Sequence, residues 1–272
     1  MKYKLLLLDI DGTLRPNHLN TVPVENVEAL RAVQRVGVRV AIATGRSIAG
    51  VPDYMLNGFE PDFWLCASGA QVLTPDLKYI RDERMTLKQV EALRTYFNDR
   101  DYPYGFAFPD GVYVYKDYDI MHERELTHGG GSAGFINGEA QNKHLDKLPV
   151  AAFCRCHEEA ALEFAKMFPD EGLRFLFYGR EDHLGLKGCD ILQPDQDKAC
   201  GLKVLSAHLG VDISECVCAG DAANDEGMIR MAGIGYAMYD GAEVAKRAAD
   251  RITPQGEYGV AYICREVWPE AF

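Results

Sequence analysis

Two aspartates that lie two residues apart, Asp9 and Asp11, follow a short apolar run at residues 4–8. Side chains at positions i and i+2 leave a strand on the same face, so both carboxylates are expected to point into one crevice. Like charges that close repel each other, and the pKa of one carboxyl rises unless a cation lies between them. The pattern suits a chemistry that needs one ionised nucleophile, one protonated acid and one divalent metal ion.

Three further polar clusters follow predicted strands or begin a predicted helix. They are Thr44-Gly45-Arg46, Lys198 and Gly220-Asp221-Ala222-Ala223-Asn224-Asp225. In an open α/β sheet, ligands bind beyond the carboxyl ends of the strands, so these clusters are expected to converge with the two aspartates. Carboxylate oxygens suit Mg²⁺, which commonly takes few protein ligands and a substrate phosphate.

Each cluster, taken alone, also has an ordinary structural interpretation. An isolated Asp-x-Asp is usually a solvated loop or a cap, and residues 44–46 fit a strand that ends in a turn. Lys198 fits a surface lysine, and residues 220–225 fit the N-cap of a helix. All four clusters in this order would require four coincidences, so the pattern favours an enzyme.

The elements that must position these clusters alternate between strand and helix in the first 75 residues and again after Pro194. Strands are predicted at residues 4–8, 38–44, 63–67, 215–218 and 234–238. Helices are predicted at residues 24–36, 199–209 and 242–249, with another that begins near Asn224. Apolar runs without polar alternation, separated by helices, indicate a parallel sheet that is covered on both faces.

The pattern changes between about residues 84 and 189. Helices predicted at residues 86–100 and 158–168 are mixed with strands predicted at 104–108, 112–115, 150–156, 173–178 and 183–186, and Pro109-Asp110-Gly111 signals a hairpin. The fold class is therefore predicted to be α/β, with a doubly wound, Rossmann-like parallel-sheet core at residues 1–83 and 190–272. An inserted α+β domain is predicted at residues 84–189, with a mobile glycine-rich loop at residues 129–132.

Composition excludes several classes of protein. The 272 residues contain 29 Lys plus Arg and 41 Asp plus Glu, which gives a formal charge of −12. Such a chain has no electrostatic footprint for nucleic acid or an anionic membrane, so a phosphate site must be locally basic or metal-loaded. No apolar stretch approaches the roughly 20 residues that span a bilayer. The eight cysteines lack zinc-site spacing and are predicted to be buried free thiols in a reducing cytosol.

The ordered motifs resemble those of the haloacid dehalogenase superfamily of phosphotransferases. They are Asp9-x-Asp11-Gly12-Thr13-Leu14, Ala43-Thr44-Gly45-Arg46, Lys198 and Gly220-Asp221-x-x-Asn224-Asp225. The chain is similar, over essentially its whole length, to the Cof-type sugar-phosphatase branch, which carries a large inserted α/β cap. The resemblance implies a cytoplasmic, Mg²⁺-dependent phosphatase of small phosphorylated metabolites, in which the cap excludes bulk water and selects the leaving group.

The same resemblance implies roles for the acidic residues. Asp9 would attack phosphorus and form an aspartyl-phosphate. Asp11 would protonate the leaving oxygen and then deprotonate the hydrolytic water. The side chains of Asp9 and Asp221 and the backbone carbonyl of Asp11 would hold Mg²⁺, with Asp225 in support.

The phosphate-binding residues follow from the resemblance in the same way. They would be Thr44, Gly45, Arg46, Lys198 and Asn224. Stabilising the charge on the transferring phosphoryl group is where most of the catalysis is expected. Asn224 would orient Lys198 or the metal ligands.

Some positions depart from the family pattern and leave the substrate open. Ser68-Gly69-Ala70 stands in place of Asn-Gly-Ala, Tyr239-Asp240-Gly241-Ala242 in place of a Gly-Asn-Ala step, and Asp197-Lys198-Ala199 in place of Ser-Lys-Gly. In the inserted domain, Arg180, His183 and Lys187 either meet the leaving group of the substrate or form a solvated sheet edge.

Two other functions remain open, and homo-oligomerisation is equally open. A phosphomutase of the same fold would share every catalytic residue and would keep the aspartyl-phosphate from water. A catalytically weak protein that binds a phosphorylated ligand would retain the fold without turnover. A dehalogenase is disfavoured, because that chemistry needs neither Asp11 as an acid nor Asp221 and Asp225 around a metal ion.

Overall fold

The protein is described by a computed structural model that covers residues 2–127 and 134–272, so the loop predicted at residues 129–132 lies outside the described residues. The chain divides into two compact units. The first unit comprises Met1–Gly45, Pro52–Asp82 and Asp197–Phe272, and the second comprises Arg46–Val51 and Glu83–Gln196. The second unit is thus inserted in the chain of the first.

The bounds of the regular elements in the described residues are as follows. The strands are β1 (Leu5–Leu8), β2 (Arg39–Ala43), β3 (Phe63–Cys66), β4 (Gln71–Leu73), β5 (Tyr79–Asp82), β6 (Tyr104–Phe108), β7 (Gly111–Lys116), β8 (Phe135–Asn137), β9 (Ala151–Cys156), β10 (Arg174–Tyr178), β11 (Lys187–Leu192), β12 (Cys216–Gly220), β13 (Ile234–Ala237) and β14 (Arg251–Ile252). The α-helices are α1 (Val24–Arg35), α2 (Leu87–Asn98), α3 (Tyr118–Thr127), α4 (Lys143–Asp146), α5 (Glu159–Met167), α6 (Lys198–Leu209), α7 (Glu226–Met231), α8 (Glu243–Ala248) and α9 (Gly259–Val267).

The first unit is built on one sheet, which in the described residues has the strand order β14-β13-β12-β1-β2-β3-β4-β5. Strand β1 lies between β12 and β2 and is parallel to both. All four leucines of β1 are fully buried, so both faces of the sheet are covered, which explains the absence of polar alternation. The predicted parallel core is confirmed, and the antiparallel edge strands β4 and β5 are an addition that the sequence analysis did not predict.

Helix α6 is fixed to this sheet by its apolar side chains. Leu202 and Leu205 pack in one core cluster with Leu5 and Leu7 of β1. Burying a leucine side chain contributes roughly 1.5–3 kcal/mol, so this contact sets the position of the helix firmly. At the helix start, the Asp197 side chain accepts a 2.6 Å hydrogen bond from the backbone N–H of Cys200 and caps the first turn.

The second unit contains a six-stranded sheet in the order β10-β11-β9-β6-β7-β8. Its neighbouring strands are antiparallel except for β7 and β8. The hairpin predicted at Pro109-Asp110-Gly111 is confirmed, since β6 pairs with β7 directly on either side of it. Helices α3 and α4 and strand β8 were not predicted.

The strand predicted at residues 183–186 is wrong. Those residues form a turn, and the strand is Lys187–Leu192. The turn is stabilised by the Asp182 carboxylate, which accepts 2.9 Å hydrogen bonds from the backbone N–H groups of Leu184 and Leu186. Because this later strand pairs with β9 and β10, the chain returns to the first unit at Asp197, and the boundary expected at residue 190 falls inside a strand.

The cysteines agree with the prediction of buried free thiols, with one exception. All eight cysteines are free thiols, and every one except Cys200 is buried. None of the helices in the described residues is long and apolar enough to cross a membrane.

Candidate active site

Three of the predicted clusters emerge side by side from the first-unit sheet. Asp9 follows β1, Thr44 follows β2, and Asp221 follows β12. These strands are parallel neighbours in the order β12-β1-β2, so their carboxyl ends lie along one edge of the sheet. This edge is where an open α/β sheet binds its ligands.

A buried lysine joins the first cluster to the last. Lys198 Nζ donates a 2.5 Å hydrogen bond to Asp9 Oδ1 and a 2.6 Å hydrogen bond to Asp225 Oδ1. The side chains of Lys198 and Asp225 are completely buried, and that of Asp9 is 8% exposed. The interpretation of Lys198 as a surface lysine is therefore wrong. Buried charges are costly unless they are paired, and here one cation is shared between two carboxylates.

The protonation of Lys198 and Asp9 depends on this pairing. Burial lowers the pKa of Lys198, but the carboxylates of Asp225 and Asp9 raise it more, so the ammonium group stays protonated. Burial raises the pKa of Asp9, Lys198 lowers it, and the neighbouring carboxylates of Asp225 and Asp221 raise it again. The result is a pKa well above the usual range for Asp9. A nucleophilic, ionised Asp9 consequently needs positive charge close to it.

Asp221 faces the loop that follows Asp9. Thr13 Oγ1 donates a 2.9 Å hydrogen bond to Asp221 Oδ1. Burial, followed by the charge of Asp225, raises the pKa of Asp221 to about 6. Gly12 has a φ of +88°, and a Cβ atom on it would lie 2.3 Å from Asp221 Oδ2. The glycine of the Asp-x-Asp-Gly motif thus leaves room for this carboxylate.

Asp225 closes its own loop as well as holding the lysine. Its Oδ2 accepts 3.0 Å hydrogen bonds from the backbone N–H groups of Asp221 and Ala222. The carboxylate satisfies backbone N–H groups that lie before α7, and it makes no capping hydrogen bond to α7 itself, so the helix-cap interpretation of residues 220–225 is not confirmed. A Cβ atom on Gly220 would lie 2.4 Å from the Asp225 Cβ, so only glycine fits behind it.

The acidic cluster fits a divalent cation. One carboxylate oxygen from each of Asp9, Asp221 and Asp225 lies within 4.8 Å of the others. Hard oxygen ligands of this kind suit Mg²⁺. Burial, together with the neighbouring carboxylates, raises the pKa values of Asp9 and Asp221, and a bound cation would oppose this by favouring their ionised forms.

Asp11 lies beside a residue that the sequence analysis missed. Its side chain, which is 33% exposed, accepts a hydrogen bond at Oδ1 from Arg15 Nη2. Arg15 is itself buried and also donates through Nη1 to the backbone carbonyl of Leu19. A spacing of four residues predicts an ion pair only in a helix, and this segment is a loop, so the sequence carried no signal for the contact.

The predicted phosphate-binding residues fall in both units. Thr44 is buried, donates its backbone N–H to the Leu65 carbonyl at 2.8 Å, and precedes Gly45 at the end of a first-unit segment. Arg46 begins the second unit, where its guanidinium donates to the Gly50 carbonyl at 3.1 Å. Asn224 lies in a 3₁₀ turn. The next residue of that turn, Asp225, accepts the hydrogen bond from Lys198.

The loop at Ser68-Gly69-Ala70 packs against the start of helix α6. A Cβ atom on Gly69 would lie 2.3 Å from the backbone carbonyl oxygen of Asp197, the residue before Lys198. Ala67 and Ser68 have φ values of 48° and 50°, a left-handed conformation that is strained for residues other than glycine. Ser68-Gly69-Ala70 differs from the family's Asn-Gly-Ala at its first position and keeps the glycine, which this close packing requires.

Other predicted positions lie on the surface of their units. Asp240 is exposed. In the second unit, Arg180 and His183 are exposed, and Lys187 forms ion pairs with Glu158 at 2.6 Å and Glu181 at 3.8 Å. Arg180 and His183 are therefore solvated, but the alternative of a sheet edge is wrong for Lys187, because its strand β11 lies between β9 and β10.

Comparison with known proteins identifies the family. The model of the haloacid dehalogenase-like hydrolases matches residues 6–263. Phosphatase YwpJ of Bacillus subtilis (strain 168) is 26% identical over 292 residues, which cover 97% of this chain and 99% of that protein. HMP-PP phosphatase of Cronobacter sakazakii (strain ATCC BAA-894) is 24% identical over 242 residues, covering 86% of this chain and 84% of that protein. The solved structure of the HAD subclass IIB sugar phosphatase BT4131 has a TM-score of 0.81 at 23% identity, covering 97% of this chain and 98% of that one.

These findings confirm the predicted fold class, because the structural likeness extends over nearly the whole chain. The predicted enzyme class, a phosphoric monoester hydrolase, is confirmed at the level of the family, since the named relatives are phosphatases. The chain belongs to the haloacid dehalogenase-like hydrolases, as a Cof-type member.

Proposed function

We propose that this protein hydrolyses monoesters of small phosphorylated metabolites, such as sugar phosphates, through an aspartyl-phosphate on Asp9. The observation that carries the proposal is the buried Lys198 held between Asp9 and Asp225, with Asp221 beside them. A structural ion pair needs one carboxylate for one lysine. Lys198 balances the charge of one carboxylate, so the other two need either protons or a further cation, and the proposed Mg²⁺ is that cation.

In the proposed reaction, the Asp9 carboxylate attacks phosphorus and displaces the alcohol oxygen, which takes a proton from the Asp11 carboxyl. Water then attacks the phosphorus of the aspartyl-phosphate, and Asp11 takes its proton as Asp9 is released. Lys198 keeps Asp9 oriented through Oδ1 and places positive charge beside the transferring group. Thr44 and the backbone at Gly45 are proposed to bind the phosphoryl oxygens, and Arg46 and Asn224 to assist them.

The proposed cofactor is Mg²⁺. The side chains of Asp9 and Asp221 and the backbone carbonyl of Asp11 would hold it, with Asp225 in support. When bound, it would supply positive charge that lets the dianionic phosphate monoester approach the acidic cluster. The carboxylate chemistry and the raised pKa values of Asp9 and Asp221 support this assignment.

The test is phosphate release from a panel of phosphorylated sugars, nucleotides and cofactors, with and without Mg²⁺. Wild type is compared with Asp9→Asn and with Asp240→Asn, a control at an exposed aspartate. We expect release that requires Mg²⁺, is abolished by Asp9→Asn and is unchanged by Asp240→Asn.

The alternatives are separate outcomes of the same panel. An isomerised product without free phosphate would identify a phosphomutase. Tight binding of a phosphorylated compound without any turnover would identify a phospho-ligand-binding protein. Either result would contradict the proposed hydrolysis.

A further inference from the structure

Arg15 is a buried arginine whose side chain contacts Asp11 and whose backbone is hydrogen-bonded to the two residues that flank Asp11. The backbone N–H of Gly12 donates to the Arg15 carbonyl at 2.9 Å, and the Arg15 N–H donates to the Ile10 carbonyl at 2.8 Å. These bonds close the loop after β1, so Arg15 lies next to Asp11 as a bridge partner. Its guanidinium then reaches Asp11 Oδ1 through Nη2 and the Leu19 carbonyl through Nη1.

Stability does not explain an arginine at this position. Arg15 is 3% exposed, and its Nε atom is buried without a hydrogen-bond partner in the described part of the chain. Burying a guanidinium costs several kcal/mol, and apolar side chains of similar volume commonly replace buried ion pairs without loss of stability. The carboxylate that Arg15 contacts is that of Asp11, whose side chain is one-third exposed, so the guanidinium restricts the directions in which this carboxyl group can point.

We propose that Arg15 is a positioning residue for Asp11, acting through that carboxyl group without touching the substrate. This inference rests on the proposed function, in which Asp11 gives a proton to the leaving oxygen. The Leu19 carbonyl anchors one arm of the guanidinium, and the other arm sets the direction in which the Asp11 carboxyl points. Correct placement matters because a shift of about 1 Å in a catalytic group can cost about 100-fold in rate.

The proposal predicts a dependence on the leaving group. Phenyl phosphate releases a basic phenolate that needs a proton, whereas p-nitrophenyl phosphate releases an anion that leaves without one. Their kcat/KM values report the steps up to loss of the phenol, where general acid catalysis contributes about 10²- to 10⁴-fold. We expect Arg15→Met to lower kcat/KM about 10-fold or more for phenyl phosphate and much less for p-nitrophenyl phosphate.

Two further variants make the test specific. Arg15→Lys keeps the charge but cannot reach two acceptors at once, so we expect an intermediate loss with the same leaving-group dependence. Arg31→Met is the matched control, because Arg31 also donates to a backbone carbonyl, that of Gly58 at 2.6 Å, but is exposed. We expect it to leave both kcat/KM values unchanged. If Arg15→Met does not fold, the losses of kcat/KM on the two aryl phosphates are compared in Arg15→Lys instead.

The failure of this inference differs from the failure of the proposed function. Equal losses on the two aryl phosphates, or no loss on either, would overturn the positioning role while wild type remains a phosphatase. A higher kcat/KM of Arg15→Met for phenyl phosphate would also overturn it, since it would show that Arg15 holds Asp11 in an unproductive orientation. Absence of phosphate release by wild type from the aryl phosphates and from the whole metabolite panel would instead contradict the proposed function.

Discussion

The Thr13 hydroxyl donates a hydrogen bond of 2.9 Å to Asp221 Oδ1 across 208 positions of the chain. The bond connects the loop after β1 with the loop after β12, the two loops that carry the acidic residues. A donor to a carboxylate favours its ionised form, so Thr13 opposes the burial that raises the pKa of Asp221. The threonine of the motif therefore favours the ionised form of Asp221, the form that would bind the proposed Mg²⁺.

Thr13→Val tests this contact, because valine has nearly the same shape and no hydroxyl. We expect a loss of about 1–3 kcal/mol in the free energy of unfolding. We also expect Mg²⁺ affinity to fall about 10- to 100-fold, as is typical when a partner of a metal ligand is removed. Urea denaturation and a Mg²⁺ titration measure the two effects. Thr74→Val is the control, since Thr74 bonds to Asp76 in an exposed loop, and an equal response from both variants would contradict the prediction.

Gly12→Ala is expected to damage the site more than its backbone conformation explains. Gly12 and Gly37 have similar φ values of +88° and +95°, but a Cβ atom would meet Asp221 only at Gly12, with nothing within 4 Å at Gly37. Alanine at a positive φ costs about 1–2 kcal/mol, which Gly37→Ala measures by itself. We expect Gly12→Ala to cost more in thermal unfolding and to lower kcat at saturating Mg²⁺. If Gly12→Ala and Gly37→Ala had the same thermal stability and the same kcat, the prediction would be contradicted, because Asp221 could then move away from the added methyl group without consequence.

Lys198→Met removes the shared cation and leaves Asp9 and Asp225 buried without it. We expect a loss of about 3–5 kcal/mol in the free energy of unfolding, together with loss of turnover. Lys203→Met on the exposed side of the same helix is the matched control. Chemical denaturation of both variants at neutral pH measures the difference. Unchanged stability in Lys198→Met would contradict the stabilising role of the shared lysine.

Stabilisation by Mg²⁺ is expected to depend on pH through Asp221. Its pKa in the folded protein, about 6, lies above the usual aspartate value of 3.8, so its contribution to stability is present below about pH 4 and is lost as the pH rises through 6. The free energy of unfolding falls by at most about 3 kcal/mol over this range, because each unit of difference between the two pKa values corresponds to about 1.4 kcal/mol. A cation competes with protons for the same carboxylate, so Mg²⁺ is expected to raise the Tm more at pH 8 than at pH 5.

Thermal melts with Mg²⁺ or a chelator at the two pH values provide the measurement. Asp221→Asn removes the titrating group and is expected to make the metal-free protein more stable at pH 8. It should also reduce the effect of Mg²⁺ at both pH values. A Mg²⁺ effect on wild type that is the same at pH 5 and pH 8 would contradict the involvement of Asp221.

The sequence was sufficient to predict the convergence of the main site residues. Apolar runs that end in Asp9, Thr44 and Asp221 indicate parallel strands, and parallel neighbours place their carboxyl ends together. The partners of those residues were not predictable in the same way. Whether Lys198 lies on the surface or between two carboxylates depends on how helix α6 packs, which the local pattern of that helix does not specify.

Contacts within loops were the least accessible to sequence reasoning. Arg15 reaches Asp11 because four backbone hydrogen bonds fold the loop after β1 back on itself, and no periodic pattern encodes such a loop. The turn at residues 183–186 was mistaken for a strand because it ends in a buried leucine, Leu186, while the Asp182 side chain caps it. Short turns capped by a side chain interrupt the alternation on which strand prediction depends.

The position of β1 between β2 and β12 has a consequence for the newly made chain. Leu5–Leu8 and Arg39–Ala43 leave the ribosome long before Cys216–Gly220, because the whole second unit is translated between them. During that interval one side of β1 carries unpaired backbone groups and its leucines lack the helix that later covers them. A nascent chain that stops short of β12 contains Asp9 and Thr44 but lacks Asp221 and Asp225, and an open strand edge of this kind favours aggregation of the incompletely folded chain.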